Sequence, residues 1–528
     1  MAGAAISVVL TLPAIVLAQT PVAPGPLTVQ VGQPGPVINR DIFGQMSEHL
    51  GQGIYNGIWV GKDSKIPNVR GIRSDVVSAL RAIKVPVVRW PGGCFADNYN
   101  WRDGVGPSDK RPVTLNANWG LLEPNAFGTN EFMDFANQIG AAAYVAVNIS
   151  TGSVQQASDW LEYMTVDKPT TLEKERASDG HPAPYEVKYI GMGNEMSGCG
   201  GAMSPSDYVE HLKLYASNVD SRNPDQAPAS LLRQRGPHAA MRVADGTDDD
   251  YIDAVMRAWQ GHQSWSWSIE GLSLHHYTWG GAAMSSPSTG FGEQQYAGLL
   301  KETMEMEGLI AQRSALMDKY DPKKSVALIV DEWGVWLKPL PGTNPLFLRQ
   351  QNSLRDAIAA SLNLNIFARH ADRVRMTNIA QMVNVLQSMI LTDNAKMVLT
   401  PTYYVYKMYV PFQDAQFIPI SFQGGRYSFG NITLQKVDAI AARGKDGKIW
   451  LALTNLDPDH DVDITIDVAG APAQAAVGQV LTAARVDADN TFDAPPEVMP
   501  KPVITQAVDG TLVLHLPSKS VTVVFLQP

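Results

Sequence analysis

The stretch Lys188-Tyr-Ile-Gly-Met-Gly-Asn-Glu-Met196 sets an amide and a carboxylate, Asn194 and Glu195, at the end of an apolar run. Tyr189, Ile190 and Met192 suit a buried strand, and the glycines begin a turn. A carboxylate at the carboxyl end of such a strand is where an α/β barrel keeps its reactive groups. Alone, the stretch reads more readily as a helix cap or a loop. A second stretch, Ser325-Val-Ala-Leu-Ile-Val-Asp-Glu-Trp-Gly-Val-Trp336, is another buried-strand run and carries Asp331 and Glu332. Two strand-end glutamates so far apart in sequence converge at one mouth only if their strands share a barrel or a sheet.

Outward from these stretches, strands alternate with helices. Residues 74–83 read as an amphipathic helix followed by a strand over 85–90. Residues 130–139 and 142–148 repeat the pattern, and a helix over 157–164 precedes the Lys188 stretch. Residues 241–245 take the place of a fifth strand, within a region (223–250) where the pattern is weakest. Leu272-Ser-Leu-His-His-Tyr-Thr-Trp279 and Asn378-Ile-Ala-Gln-Met-Val-Asn384 supply later strands, with a helix over 350–368 between them. This alternation indicates parallel βαβ units. The fold class expected is α/β: a (β/α)8 TIM barrel over residues 41–410. Residues 400–409 read as helix packing. After Pro411 short alternating segments separated by turn formers indicate a C-terminal β-sandwich, jelly-roll-like, over 411–528.

Two opposed carboxyl groups are what glycoside hydrolysis needs, one protonated to donate to the leaving oxygen and one ionised to attack or to activate water. The loop Pro91-Gly-Gly-Cys-Phe-Ala-Asp-Asn-Tyr-Asn-Trp101 displays aromatics and amides together, the flat faces and planar donors that suit a sugar. With Gly-Asn-Glu195 and Asp-Glu332-Trp, the chain resembles the α-L-arabinofuranosidases of glycoside hydrolase family 51. Glu48-His-Leu-Gly51, Arg89-Trp-Pro-Gly-Gly93, Ser273-Leu-His-His-Tyr277 and the Asn378 stretch are similar to further motifs of that family, in the same order.

The resemblance implies Glu195 as acid/base and Glu332 as nucleophile of a retaining, exo-acting enzyme. It implies Glu48, Arg89, Asn194, His275, Tyr277 and Gln381 around one terminal arabinofuranose of arabinoxylan, arabinan or their oligosaccharides. No cofactor is implied, and family members are often hexameric. The alternatives are a related β-glycanase or β-xylosidase and, in another class, a non-catalytic carbohydrate-binding barrel, against which the retention of both glutamates argues. The chain departs from the commoner family pattern at Gln52, where many members have Arg, and at Cys94, where many have Asn. In the family, a strand such as residues 27–31 joins the C-terminal sandwich, which leaves 19–40 as linker and strand.

At 528 residues, with 45% apolar and 18% charged, the chain can bury a large core and lacks disordered character. A net charge of −10 argues against nucleic acid or anionic membrane as partner. His275-His276 lacks metal spacing, because successive strand residues face opposite sides, and no metal site is expected. Cys94 and Cys199, the two cysteines, lie close in sequence to the proposed chemistry. They read either as a disulfide or as two buried thiols. Residues 1–18 read as a signal peptide ending at Val-Leu-Ala18, although no Lys or Arg precedes its apolar run. A secreted or periplasmic location is the corresponding expectation.

Overall fold

The computed structural model describes residues 23–226, 238–263, 265–470 and 472–527; the segment read as a signal lies outside them. Eight parallel strands close a barrel in sequential order: β1 (Gly44–Met46), β2 (Val87–Trp90), β3 (Ala142–Val147), β4 (Val187–Met192), β5 (Met241–Ala244), β6 (Gly271–Thr278), β7 (Ala327–Val335) and β8 (Val374–Ile379). Their apolar runs carry no strict alternation because both faces are covered. Val87, Tyr144, Tyr189, Val243, Ala327, Ile329 and Met376 fill the lumen as one cluster, so the barrel is a packed core with its chemistry at one end.

The outer ring consists of α1 (Ser74–Ala82), α2 (Thr129–Ile139), α3 (Val154–Thr165), α4 (Thr171–Ser178), α5 (Pro205–Asn218), α6 (Asp249–Gln260), α7 (Glu293–Asp318), α8 (Leu354–Arg369) and α9 (Pro401–Tyr409). Local chemistry sets the helix starts. The Ser153 hydroxyl accepts from Gln156 N–H to open α3, and Ser204 caps α5 with Pro205 in its first turn. Residues 354–368 of α8 are all buried, which removes the amphipathic stripe that a surface helix would show. Asn365 and Arg369 of α8 donate to Asp438 in the C-terminal part, tying the barrel to it.

The C-terminal part pairs two sheets. Val437–Arg443, Ile449–Asn455, Ser520–Gln527, Ala475–Leu481 and Lys501–Gln506 run antiparallel, with Gln416–Ile418 at one edge. The second sheet holds Val462–Val468, Leu512–Leu516, Ile420–Ser421 and Leu27–Val29. Leu27–Val29 lies parallel to Val462–Val468, so the first strand among the described residues belongs to the last unit. Leu27, Leu453, Ile464, Leu514 and Val524 belong to its core.

One irregularity matters for function. Between β6 and β7 the register slips: Leu274 pairs with Val330 but His275 with Glu332. Asp331 is the extra residue of a β-bulge, which re-aims the side chains on either side of it. Consecutive residues would otherwise face opposite ways. Here Asp331 and Glu332 both meet Arg89.

Candidate active site

Arg89, on β2, organises the barrel mouth from beneath. Its Nη1 donates to Glu332 Oε1 at 2.7 Å and its Nη2 to Asn194 Oδ1 at 2.7 Å, while Nε lies 3.4 Å from Asp331 Oδ2. Asp331 is fixed in turn by the Tyr144 hydroxyl at 2.6 Å and Asn378 Nδ2 at 2.9 Å. A guanidinium that is 1% exposed would be costly alone; hydrogen bonds to Glu332 and Asn194 and the charge of Asp331 offset its burial.

Tyr277, on β6, donates to the other oxygen of Glu332 at 2.7 Å. Burial alone would raise the Glu332 carboxyl. The charges of His275 and Arg89 and the Tyr277 hydrogen bond overcome it and hold the group below the usual carboxylate range.

Glu195 follows β4 across the mouth with a backbone φ of 46°, in the left-handed region. Its Oε1 lies 3.0 Å from His275 Nδ1, and the same nitrogen is 3.7 Å from Glu332 Oε2. Oxygens of both glutamates and a nitrogen of His275 lie within 4.8 Å of one another. Burial would lower His275, but the Glu332 charge and the Glu195 hydrogen bond push it up to about 9. The ring is set between two carboxyls, whose charges favour its protonated form.

Glu48 stands beside this pair. Its Oε1 accepts from Phe95 N–H at 3.1 Å and Trp119 Nε1 at 3.3 Å, and its Oε2 from Gln381 Nε2 at 3.2 Å. Burial and the nearby Glu332 charge push its carboxyl up to about 7. The Gly-Gly pair permits this crowding. A Cβ on Gly93 would fall 2.5 Å from Glu332 Oε1, and one on Gly92 2.3 Å from Glu48 Cγ. Cys94 and Cys199 are joined by a disulfide, with Cα atoms 5.5 Å apart. Their sulfurs lie 3.9 and 3.6 Å from Glu195 Oε2, as packing contacts, since a bridged sulfur has no hydrogen to donate.

The eight functional residues expected from sequence thus meet at one mouth. Glu48, Asn194, Glu195, Tyr277, Glu332 and Gln381 line a pocket of about 340 Å³, open space at its mouth included; Arg89 and His275 support it from behind. Trp119, Trp336, Leu50, Leu348, Leu386 and the bridged Cys94 complete the wall. Trp336 stacks on Trp279 with ring centroids 4.9 Å apart. Sequence reasoning missed Trp119, which comes from a short hairpin (Thr114–Asn116, Leu121–Glu123), and Leu348 and Leu386 on irregular loops. At Gln52, the departure from the commoner motif, Arg349 donates to the side chain at 3.1 Å, so a guanidinium reaches this spot from another loop.

The chain is similar to known arabinofuranosidases in sequence and in fold. Residues 79–254 match the family model of the alpha-L-arabinofuranosidase 1 domain, and residues 331–520 that of the alpha-L-arabinofuranosidase C-terminal domain. The chain is 42% identical to an intracellular exo-alpha-L-arabinofuranosidase of Bacteroides ovatus, over 95% of each chain. It is 29% identical to an intracellular exo-alpha-(1->5)-L-arabinofuranosidase of Halalkalibacterium halodurans, over 66% of this chain and 68% of that one. The crystal structure of the GH51 arabinofuranosidase from Xanthomonas axonopodis pv. citri superposes with a TM-score of 0.90 at 46% identity. It covers 96% of this chain and 100% of that one.

The expectation of a secreted or periplasmic protein is corrected by these relatives, two of which are named intracellular enzymes. The export reading rests on the apolar run of residues 1–18, which has no Lys or Arg ahead of it to supply the usual basic segment.

Proposed function

The chain belongs to the α-L-arabinofuranosidases of glycoside hydrolase family 51, and from that premise we propose Glu332 as the nucleophile and Glu195 as the acid/base of its double displacement. The enzyme is a retaining, exo-acting α-L-arabinofuranosidase that acts on arabinose-containing glycans. In the first step Glu332 attacks the anomeric carbon while Glu195 passes its proton to the glycosidic oxygen, and the aglycone leaves. In the second, Glu195 takes a proton from water, which attacks the same carbon and frees Glu332.

The observation that carries this division is the asymmetry of the donors. Both oxygens of Glu332 receive hydrogen bonds, from Arg89 and Tyr277, which keep it ionised and aimed. Glu195 has one such partner, His275. That imidazolium stabilises the anion that forms as Glu195 gives up its proton. The short separation of the two carboxyls also supports direct attack, since the inverting alternative needs roughly 6.5–9.5 Å to seat a water.

Glu48, Asn194, Gln381 and Tyr277 are the groups we assign to the furanose hydroxyls, with Arg89 holding Asn194 and Glu332 in place. A closed pocket of paired polar groups rejects the wrong sugar by leaving some of them unpaired. Arabinoxylan and arabinan side chains are the proposed substrates, and a homo-oligomer the proposed assembly. Sedimentation equilibrium tests the assembly, and a monomer at micromolar concentration removes it.

Azide tests the roles. Glu195→Ala should keep its first step on a nitrophenyl arabinofuranoside, and azide should restore turnover to give the glycosyl azide with retained configuration. Glu332→Ala should be inactive without azide, and any azide product should be inverted. The reverse pattern exchanges the two roles; no rescue in either variant removes the assignment.

A further inference from the structure

Two buried carboxylates beside the mouth take no part in the steps above. Asp97, fully buried in the loop after β2, accepts from Ile149 N–H on Oδ1 at 3.0 Å and from Asn194 N–H on Oδ2 at 3.1 Å, with Ser150 N–H a further donor. Asp245, 1% exposed at the end of β5, accepts from Met196 N–H on Oδ2 at 3.0 Å. The hydroxyls of Thr247 and Ser273 complete its shell, at 2.5 and 3.2 Å. Asn194 and Met196 are the two chain neighbours of Glu195. The two aspartates therefore hold the peptide N–H on each side of a residue whose φ of 46° is one that a side-chain-bearing residue rarely adopts.

Within the turn, Gly198 and Gly200 N–H return to Glu195 C=O at 2.8 and 3.2 Å, and further along Cys199 is bridged to Cys94 of the loop after β2. Side-chain anchors from outside the turn thus grip its entry and its exit. Burial pushes the Asp97 carboxyl up to about 7 despite its amide partners, so the placement costs stability. A residue kept at that cost beside a reactive group points to function.

Resting on the assignment of Glu195 as acid/base, we propose that Asp97 and Asp245 are positioning residues for it, clamping the flanking amides so that the Glu195 carboxyl points at the glycosidic oxygen. Neither touches the sugar. Their effect reaches the reaction through the direction of the Glu195 side chain, and so through proton donation. The pair makes a specific demand on Asp97. Both of its oxygens face N–H donors, so in Asp97→Asn either amide orientation turns an NH2 against a peptide N–H. Asp245 is more forgiving, because the Ser273 hydroxyl can turn and accept from an Asn at that position.

The test is the ratio of kcat/KM for nitrophenyl arabinofuranoside, whose leaving group needs no proton, to that for phenyl arabinofuranoside, whose leaving group does. The ratio is independent of the fraction of enzyme folded and of any general weakening of sugar binding. Set against a general acid's contribution of about 10²–10⁴, Asp97→Asn should raise the ratio at least about tenfold and Asp245→Asn by a smaller factor. Glu195→Ala, run alongside, should raise it most. If Glu195→Ala leaves the ratio unchanged, the acid/base assignment itself fails. If Glu195→Ala raises it while a soluble aspartate variant loses activity equally on both substrates, that aspartate is only structural and its assignment is overturned. Should Asp97→Asn yield no soluble enzyme, Asp245→Asn decides the proposal by the same ratio.

Discussion

Replacing Gly93 by Ala probes the closeness of the site with a single carbon. Gly93 lies outside the left-handed region, so its backbone admits Ala and the objection is purely steric. The added Cβ would sit 2.5 Å from Glu332 Oε1 and 3.2 Å from Asn194 Oδ1, whereas ordinary contact begins at 3.4 Å. Glu332 must therefore yield by about 0.9 Å, and the oxygen that has to move is the one that accepts the 2.7 Å bond from Arg89. A misplacement near 1 Å at a reacting group costs on the order of 10²-fold in rate, or about 2.7 kcal/mol in the barrier. The sign of the pH effect follows as well. Arg89 helps to hold the Glu332 carboxyl low, so weakening that bond raises it and moves the acid limb of kcat/KM to higher pH. The assay is kcat/KM on nitrophenyl arabinofuranoside across pH, with a melting curve to show that the fold survives. A variant that folds and keeps its rate within threefold, with an unmoved acid limb, would refute the crowded geometry.

Glu48→Gln should lower activity and change how stability depends on pH. A carboxyl raised from 4.5 to about 7 makes folding weaker as pH rises through that window, so the stability of the Gln variant relative to the parent, read by thermal denaturation, should improve by about 3 kcal/mol from pH 4 to pH 8. This change comes on top of a pH-independent loss from an NH2 turned against an N–H donor. Arg89→Met leaves Asp331 and Glu332 buried without their cation, a loss of about 3–5 kcal/mol that should appear as a lower Tm together with loss of turnover. Trp336→Ala, which removes an aromatic wall but no hydrogen bond to either glutamate, should raise KM more than it lowers kcat. Mass spectrometry of the unreduced, denatured and alkylated protein should find no free thiol. Replacing both cysteines by Ala should lower Tm, since the bridge spans 105 residues and is worth at most about 4.7 kcal/mol.

Much of this site was legible because barrel chemistry sits at strand ends that the apolar runs announce. Glu195 and Glu332 each close such a run, and His275 and Tyr277 lie two apart on one strand, on one face by simple alternation. Alternation misleads at β7, where the bulge turns both Asp331 and Glu332 toward Arg89; the bulge is defined only by the pairing with β6, which no local pattern shows. Trp119, Leu348 and Leu386 lie on segments without period, so their convergence is set by tertiary packing alone. The disulfide stood open because two cysteines near one site in sequence do not by themselves fix a Cα separation. Asp97 and Asp245 were visible as residues of a quoted loop and a quoted strand. Their role depends on amides far away in the chain, which spacing does not reveal.

The identity of the nucleophile is the central claim, and peptide mass mapping tests it most directly. The Glu195→Ala enzyme, mixed with an activated nitrophenyl arabinofuranoside and quenched in acid, should accumulate the covalent intermediate because its second step lacks a base. The account predicts one pentosyl group on the peptide that contains Glu332, and on no other carboxylate. A pentosyl group on Glu48 or Asp331 would contradict it.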